Sequence, residues 1–176
     1  MSRYLVPAVA VLILIPFLMI GLTKDPSRLP SPLIGKAAPV FDLPSLTRPD
    51  QRVGSASYAG QVALVNIWAT WCVGCRQEHE FLVRLTAQDV IPIYGINWRD
   101  DRDAALRWLQ QLGDPYVDSG FDADGRVGIE WGAYGAPETF LISADGTVLY
   151  KHLGPLNPVI WDTVFMPLIS PPVAAE

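Results

Sequence analysis

Between residues 62 and 168 the apolar positions follow two periods. Val62-Ala63-Leu64-Val65-Asn66-Ile67-Trp68 is a nearly unbroken run of β-branched, aliphatic and aromatic residues, the pattern of a buried strand. From Arg76 to Ala87 the period changes, and Phe81, Leu82 and Leu85 at helical spacing predict a helix over 73–87. Val90 to Asn97 predicts the next strand, although Pro92 fits poorly inside one. Ala105, Leu106, Trp108, Leu109 and Leu112 predict a second helix, capped by Asp100 or Asp101 and stopped by Gly113. A short strand at Tyr116-Val117 and a helix from Gly125 to Trp131 come next. Thr139–Ile142 and Val148–His152 flank Ser143-Ala144-Asp145-Gly146, a hairpin signature, and Pro158–Leu168 closes as a helix begun at Asn157. Short strands at Val40–Leu43 and Gln51–Ser55 precede the buried one. Strands and helices alternate first, then a hairpin and a helix finish. That order predicts an α/β fold with a mixed central sheet flanked by helices.

The N-terminus obeys neither period. From Tyr4 to Thr23 there is no charge, and the run is long enough for a helix to span a bilayer, with Pro16 placed to bend it. It exceeds the apolar segment of a signal peptide, and no A-x-A-like cleavage site follows it, so residues 1–24 are expected to be a retained transmembrane anchor. Arg3 and the α-amino group before the run balance Lys24 and Arg28 after it, so the flanking charges do not orient it. Residues 25–34, rich in Pro and Ser, suit an extended linker. The folded domain is expected over 35–170, with a flexible tail at 171–176.

Composition narrows the function. The 176 residues carry a net charge of -5 with a pI near 4.9, which argues against a nucleic-acid partner. The mean hydropathy of +0.23 is high for a soluble domain, and much of the excess lies in the first two dozen residues. Only two cysteines are present, Cys72 and Cys75. A pair this close is not the framework that staples a small secreted domain. The pair falls where the buried strand gives way to a helix, with Cys72 near the helix N-terminus and Cys75 about one turn in. Free N–H groups and the positive end of the helix dipole stabilise a thiolate there. The residues therefore predict a dithiol/disulfide exchange site, with Cys72 the exposed attacking thiolate and Cys75 the resolving thiol.

Longer motifs extend this reading. Asn66-Ile67-Trp68-Ala69-Thr70-Trp71-Cys72-x-x-Cys75 resembles the thioredoxin-like active site, and Gly35-x-x-Ala38-Pro39-x-Phe41 is similar to the redoxin branch. Tyr94-Gly95-Ile96-Asn97-Trp98-x-Asp100-Asp101, Phe121-Asp122-x-Asp124-Gly125 and Tyr134-Gly135-Ala136-Pro137-Glu138-Thr139-Phe140-Leu141-Ile142 resemble the DsbE/CcmG family. These are membrane-tethered thiol–disulfide interchange proteins of cytochrome c biogenesis. The resemblance covers about Gly35 to Leu168 and implies a thioredoxin-like fold. It further implies that Pro137 is cis and faces the dithiol, and that the backbone of Ala136 pairs with the substrate chain. The implied substrates are disulfides of apocytochrome c or of a haem-ligation component. A transmembrane electron carrier of the DsbD kind would recharge the protein, on the periplasmic side of a bacterial inner membrane. No cofactor beyond the dithiol is implied.

The sequence departs from the family pattern in carrying Val73-Gly74 between the cysteines where a Pro usually comes first, which is expected to loosen the first helical turn. Asn66 stands where thioredoxins bury an Asp, and an Asn cannot relay a proton. Any carboxylate assistance falls to Glu78 or Glu138. Together with Glu80 these are expected to make the surroundings acidic and to raise the thiol pKa. Trp68 reads as core and Trp71 as a residue lining the site. The alternative is a copper- or zinc-handling domain. Cys72, Cys75 and His79 lie at i, i+3 and i+7 on one helix face, with His152 a candidate fourth ligand.

Overall fold

The computed structural model describes residues 2–22 and 31–169; the expected tail and most of the expected linker lie outside the described residues. The elements are α1 (Ser2–Leu22), β1 (Asp42–Pro44), β2 (Arg52–Gly54), β3 (Ala63–Trp68), α2 (Val73–Thr86), β4 (Ile93–Trp98), α3 (Arg102–Leu112), β5 (Asp118–Asp122), α4 (Arg126–Glu130), β6 (Glu138–Ile142) and β7 (Val148–Leu153). A last helical stretch comprises α5 (Pro158–Ile160), a π-helical turn at Trp161–Phe165 and α6 (Met166–Ile169).

Five strands form one sheet in the order β5-β4-β3-β6-β7. The pairs β3–β4 and β4–β5 are parallel, while β3–β6 and β6–β7 are antiparallel. This is the mixed sheet that the order of elements predicts. Every residue of β3 is buried, because both faces of the sheet are covered. Leu64 and Trp68 point into a core shared with Leu82 and Leu85 of α2, Trp108 of α3 and Phe165. Val65 and Ile67 point the other way, into a core with Phe41, Tyr94, Trp131 and Phe140. Asn66 is the polar exception in this strand, opposite Gly95 of β4 and Thr139 of β6.

Three elements differ from the sequence-based expectation. Pro92 stands just outside β4, which begins at Ile93, so its missing N–H costs the ladder nothing; its carbonyl accepts from Leu64 N at 2.9 Å. The strand expected at Tyr116-Val117 lies instead at Asp118–Asp122. Its polar residues hide it from a hydrophobicity pattern, yet each finds a partner. The Asp118 carboxylate accepts from the Ser45 hydroxyl at 2.7 Å and pairs with Arg48, while Asp122 accepts from Val127 N and Gly128 N at the start of α4. Residues 31–34, expected in the linker, form a turn against the domain: Lys36 N donates to Leu33 O and Gly35 N to Val148 O.

In α1 the described side chains are exposed, Leu12 at 71% and Ile13 at 67% among them. Counted over the described residues alone, no helix is long and apolar enough to cross a membrane, so the anchor expected from the sequence does not follow from the fold.

Gly95 shows how tightly the sheet is packed behind the cysteines. A Cβ there would lie 2.4 Å from Ser119 Oγ and 2.9 Å from Trp68 Nε1, between the partners of a buried 3.0 Å hydrogen bond. Gly95→Ala is expected to lower the unfolding free energy by about 1–3 kcal/mol, read as a shift of the urea midpoint with an unchanged slope.

Candidate active site

The turn from β3 into α2 places both cysteines. Cys72 N donates to Ala69 O at 3.3 Å, and Cys72 adopts the extended conformation of an N-cap residue. Its sulfur accepts from Cys75 N at 3.0 Å, so it occupies the place a capping oxygen takes in most helices. Cys72 and Cys75 are joined as a disulfide with a Cα–Cα distance of 5.3 Å. One correction concerns access: Cys72 is 5% and Cys75 3% exposed. The sulfur of Cys72 is turned back over the first turn of α2, and the residues beside it, Trp71 at 53% and Val73 at 75%, project instead.

The Ala136–Pro137 bond is cis. Pro137 reaches the first turn of α2 at Gly74: a Cβ on Gly74 would lie 2.8 Å from Pro137 Cδ and 3.2 Å from Pro155 Cγ. Even with Val73-Gly74 between the cysteines, α2 starts at Val73 and Gly74 lies inside its first turn. The absent side chain leaves the room that two proline rings occupy beside the helix backbone. Beside Pro137 runs an open groove lined by Tyr134, Ala136, Leu153 and Gly154, with Ala136 half-buried and Tyr134 exposed. Gly154 N donates to Pro137 O at 2.9 Å.

Beneath the disulfide lies a polar network. Glu78, one turn beyond Cys75 on α2, is 1% exposed. One of its oxygens accepts from Asn66 Nδ2 at 2.9 Å and the other from Leu156 N at 2.7 Å. Asn66 Nδ2 also donates to Thr139 Oγ1 at 3.0 Å, and Asn66 Oδ1 accepts from the Tyr116 hydroxyl at 2.8 Å. Burial pushes the Glu78 carboxyl up to about 7, against the pull of its two hydrogen bonds. Glu138 is also buried, not a solvated hairpin residue. It forms an ion pair with Lys151 at 2.9 Å, both side chains 3% exposed, and accepts from Tyr134 N at 2.8 Å. Lys151 donates in turn to Gly132 O at 2.8 Å, so the pair ties both ends of the segment leading to Pro137.

The expected acidic surroundings are corrected accordingly. Of Glu78, Glu80 and Glu138, only Glu80 reaches the surface, where it pairs with Arg84. Helical spacing put Glu78 and Glu80 near the dithiol, and the position after Pro137 put Glu138 there, without showing that Glu78 and Glu138 point inward. The metal-handling alternative fails on His79. Trp108 Nε1 donates to His79 Nδ1 at 3.1 Å, which leaves the proton on Nε2, and Nε2 donates to Gly113 O at 2.9 Å. Both ring nitrogens are engaged, and burial holds the imidazole below its ordinary pKa. Among the described residues no cluster of His, Cys, Asp and Glu could hold a metal ion, and His152 packs instead beside Phe165. Trp68 is core, as expected, and stacks on Tyr116.

Sequence reasoning missed Lys151, Tyr116 and Thr139. Asn66 inside an apolar strand was the available signal for two of them, because a buried amide requires partners. Lys151 had its own signal, a charge within the alternating hairpin strand.

Comparison with known proteins agrees with this geometry. The Redoxin family matches residues 33–163. The chain is similar to the thiol:disulfide interchange protein DsbE of Allochromatium vinosum, 44% identical over 169 residues, covering 96% of this chain and 93% of the relative. It is 49% identical to the DsbE of Pseudomonas aeruginosa over 164 residues, covering 93% and 91%. The DsbE of Escherichia coli K12 is 48% identical over 145 residues, covering 82% and 78%. A crystal structure from Chlorobium tepidum, assigned there as a DsbE, superposes with a TM-score of 0.67 at 26% identity, covering 77% of this chain and 95% of that one. The fold is thioredoxin-like.

Two stability measurements follow from the buried charges. Glu78 binds its proton more tightly folded than unfolded. Its stabilising contribution is therefore complete below about pH 4.5 and is lost as pH rises through about 7. Chemical denaturation between pH 4.5 and 8 is expected to show a decline of about 3 kcal/mol that Glu78→Gln removes. Lys151→Met, which strands the Glu138 carboxylate, is expected to cost about 3–5 kcal/mol at pH 7 by the same measurement.

Proposed function

The chain belongs to the Redoxin family and, within it, to the DsbE thiol:disulfide interchange proteins, and from that premise we propose that it is an envelope-facing reductant of disulfides in apocytochrome c or in its haem-ligation partner. Its activity is that of a thiol–disulfide oxidoreductase, and the reading rests on one observation above all. The Cys72–Cys75 disulfide bridges an N-cap and the first turn of α2, against a cis proline and above a buried carboxylate.

In the reduced protein the thiolate of Cys72 attacks one sulfur of the substrate disulfide. The other substrate sulfur leaves as a thiolate and takes a proton, and a mixed disulfide remains. Helix N–H groups, Cys75 N first among them, stabilise the Cys72 thiolate. Cys75 then loses its proton and attacks Cys72 Sγ, which expels the second substrate thiolate and forms the Cys72–Cys75 disulfide. Two electrons have passed to the substrate. Glu78, one turn further along α2 and raised to about 7, is the acceptor of the Cys75 proton. Asn66 cannot take that role, and it orients Glu78 instead. Ala136 and Pro137 bound the groove in which the substrate backbone lies, and Trp71 and Glu138 support it. A transmembrane electron carrier of the DsbD kind returns the electrons.

We propose α1 as a single-pass anchor that holds the domain on the periplasmic side of the bacterial inner membrane. The proposal rests on the sequence: the uncharged run from Tyr4 to Thr23 has the roughly twenty residues that a hydrocarbon core of about 30 Å requires.

Trapping separates the two cysteines. Cys75→Ser is expected to accumulate a mixed disulfide with an oxidised apocytochrome c peptide on a non-reducing gel, and Cys72→Ser to form none and to lose insulin reduction. A Cys72→Ser variant that still reduces disulfides would sink the assignment of the attacking thiol.

A further inference from the structure

The loop between β4 and α3 grips the residues that lead into Cys72, and this grip is not part of the exchange chemistry described above. The Asp100 carboxylate accepts four hydrogen bonds. One oxygen takes Thr70 N at 2.6 Å and Asn97 Nδ2 at 2.9 Å; the other takes the Thr70 hydroxyl at 2.6 Å and Asp101 N at 2.9 Å. All four partners donate, so only a group with two acceptor oxygens satisfies them, and an amide would turn an NH₂ onto donors. The next residue along, Trp71, is held by the same loop: its indole Nε1 donates to Arg99 O at 3.0 Å.

Arg99 is itself held in an unusual state. Its φ of 49° is in the left-handed region that a side chain disfavours. Arg99 N donates to Asp122 O at 3.0 Å, and its guanidinium lies 5.1 Å over the Trp98 ring, which in turn sits 6.1 Å from the ring of Trp71. Strained backbone persists where the surroundings over-determine it, and here its carbonyl is aimed at the exposed indole beside the disulfide.

We propose that Asp100 is a positioning residue of the exchange reaction. Through Thr70 it holds Trp71 as a fixed wall of the face on which a protein disulfide docks. A small disulfide reaches the sulfur without using that wall. Exchange with protein substrates therefore depends on Asp100, and exchange with small ones does not.

The experiment uses the full chain and compares insulin with glutathione disulfide. Asp100→Ala is expected to slow the reduction of insulin about tenfold and that of glutathione disulfide by less than about twofold. Asp100→Ala in a Trp71→Ala background is expected to add nothing on insulin, because the two residues act as one unit. Equal losses on both substrates, or losses that multiply, overturn the proposal. Thr70→Val removes only the hydroxyl bond and decides the matter if Asp100→Ala does not fold, with a smaller loss of the same selectivity expected. Iodide quenching is read in parallel, since Trp71 is half exposed while the other five tryptophans are buried. Asp100→Ala is expected to steepen the quenching, and an unchanged slope overturns the clasp. This readout needs no turnover, so a wild-type chain that reduced neither disulfide would refute the exchange reading while the quenching still decided the clasp.

Discussion

The hydrogen bonds of the Glu78 carboxylate join the three parts on which the active site depends. Asn66 belongs to the central strand, Glu78 to the helix that carries both cysteines, and Leu156 to the segment after the hairpin that also supplies Pro155. A buried carboxylate with fewer partners would be expelled or would pull the helix out of place. With two donors on it, and with Asn66 itself held by Tyr116 and Thr139, the helix has one seat on the sheet. The positions of the disulfide, of Gly74 and of the proline rings follow from that seat.

The same carboxylate carries a conflict. Desolvation favours its neutral form and its hydrogen bonds favour the charged one, and the balance lies near neutrality. A group built purely for stability is rarely left there; an apolar residue of similar volume would serve the core as well. Glu138 illustrates the other outcome. Paired with Lys151, it works as a tie for the segment that ends in the cis proline.

Beside the disulfide the exposed side chains include Trp71, Val73 and Tyr134 along with the charged Arg76. Beneath them, Trp71 and Tyr134 are backed by polar contacts from different parts of the chain. Trp71 rests on the loop after β4, and Tyr134 on the Glu138–Lys151 pair, with Lys151 Nζ 4.9 Å from its ring. A docking face that is mobile would lose part of its binding energy to ordering, and loop-borne side chains are the most exposed to that loss. The polar ties under these residues reduce it.

Period and spacing alone placed β3, α2, the hairpin and the cysteine pair, because each is a local pattern: a buried apolar run, a helical stripe, a turn dipeptide, two cysteines at a helix start. They also exposed Asn66 as a polar residue where none was expected. What stayed illegible was direction and partnership. Glu78, Glu80 and His79 share a helix with the cysteines, but which of them turns inward depends on what packs against that helix. His79 reads as a ligand until Trp108 and Gly113, about thirty residues away, occupy both its nitrogens. β5 reads as a loop until Ser45, Arg48 and the α4 N–H groups satisfy its carboxylates. Gly74 reads as a weak helix residue until two prolines close on it. Chemistry that depends on residue type and short spacing was written in the chain. Chemistry that depends on which distant donor meets which buried acceptor was decided only when the sheet brought them together.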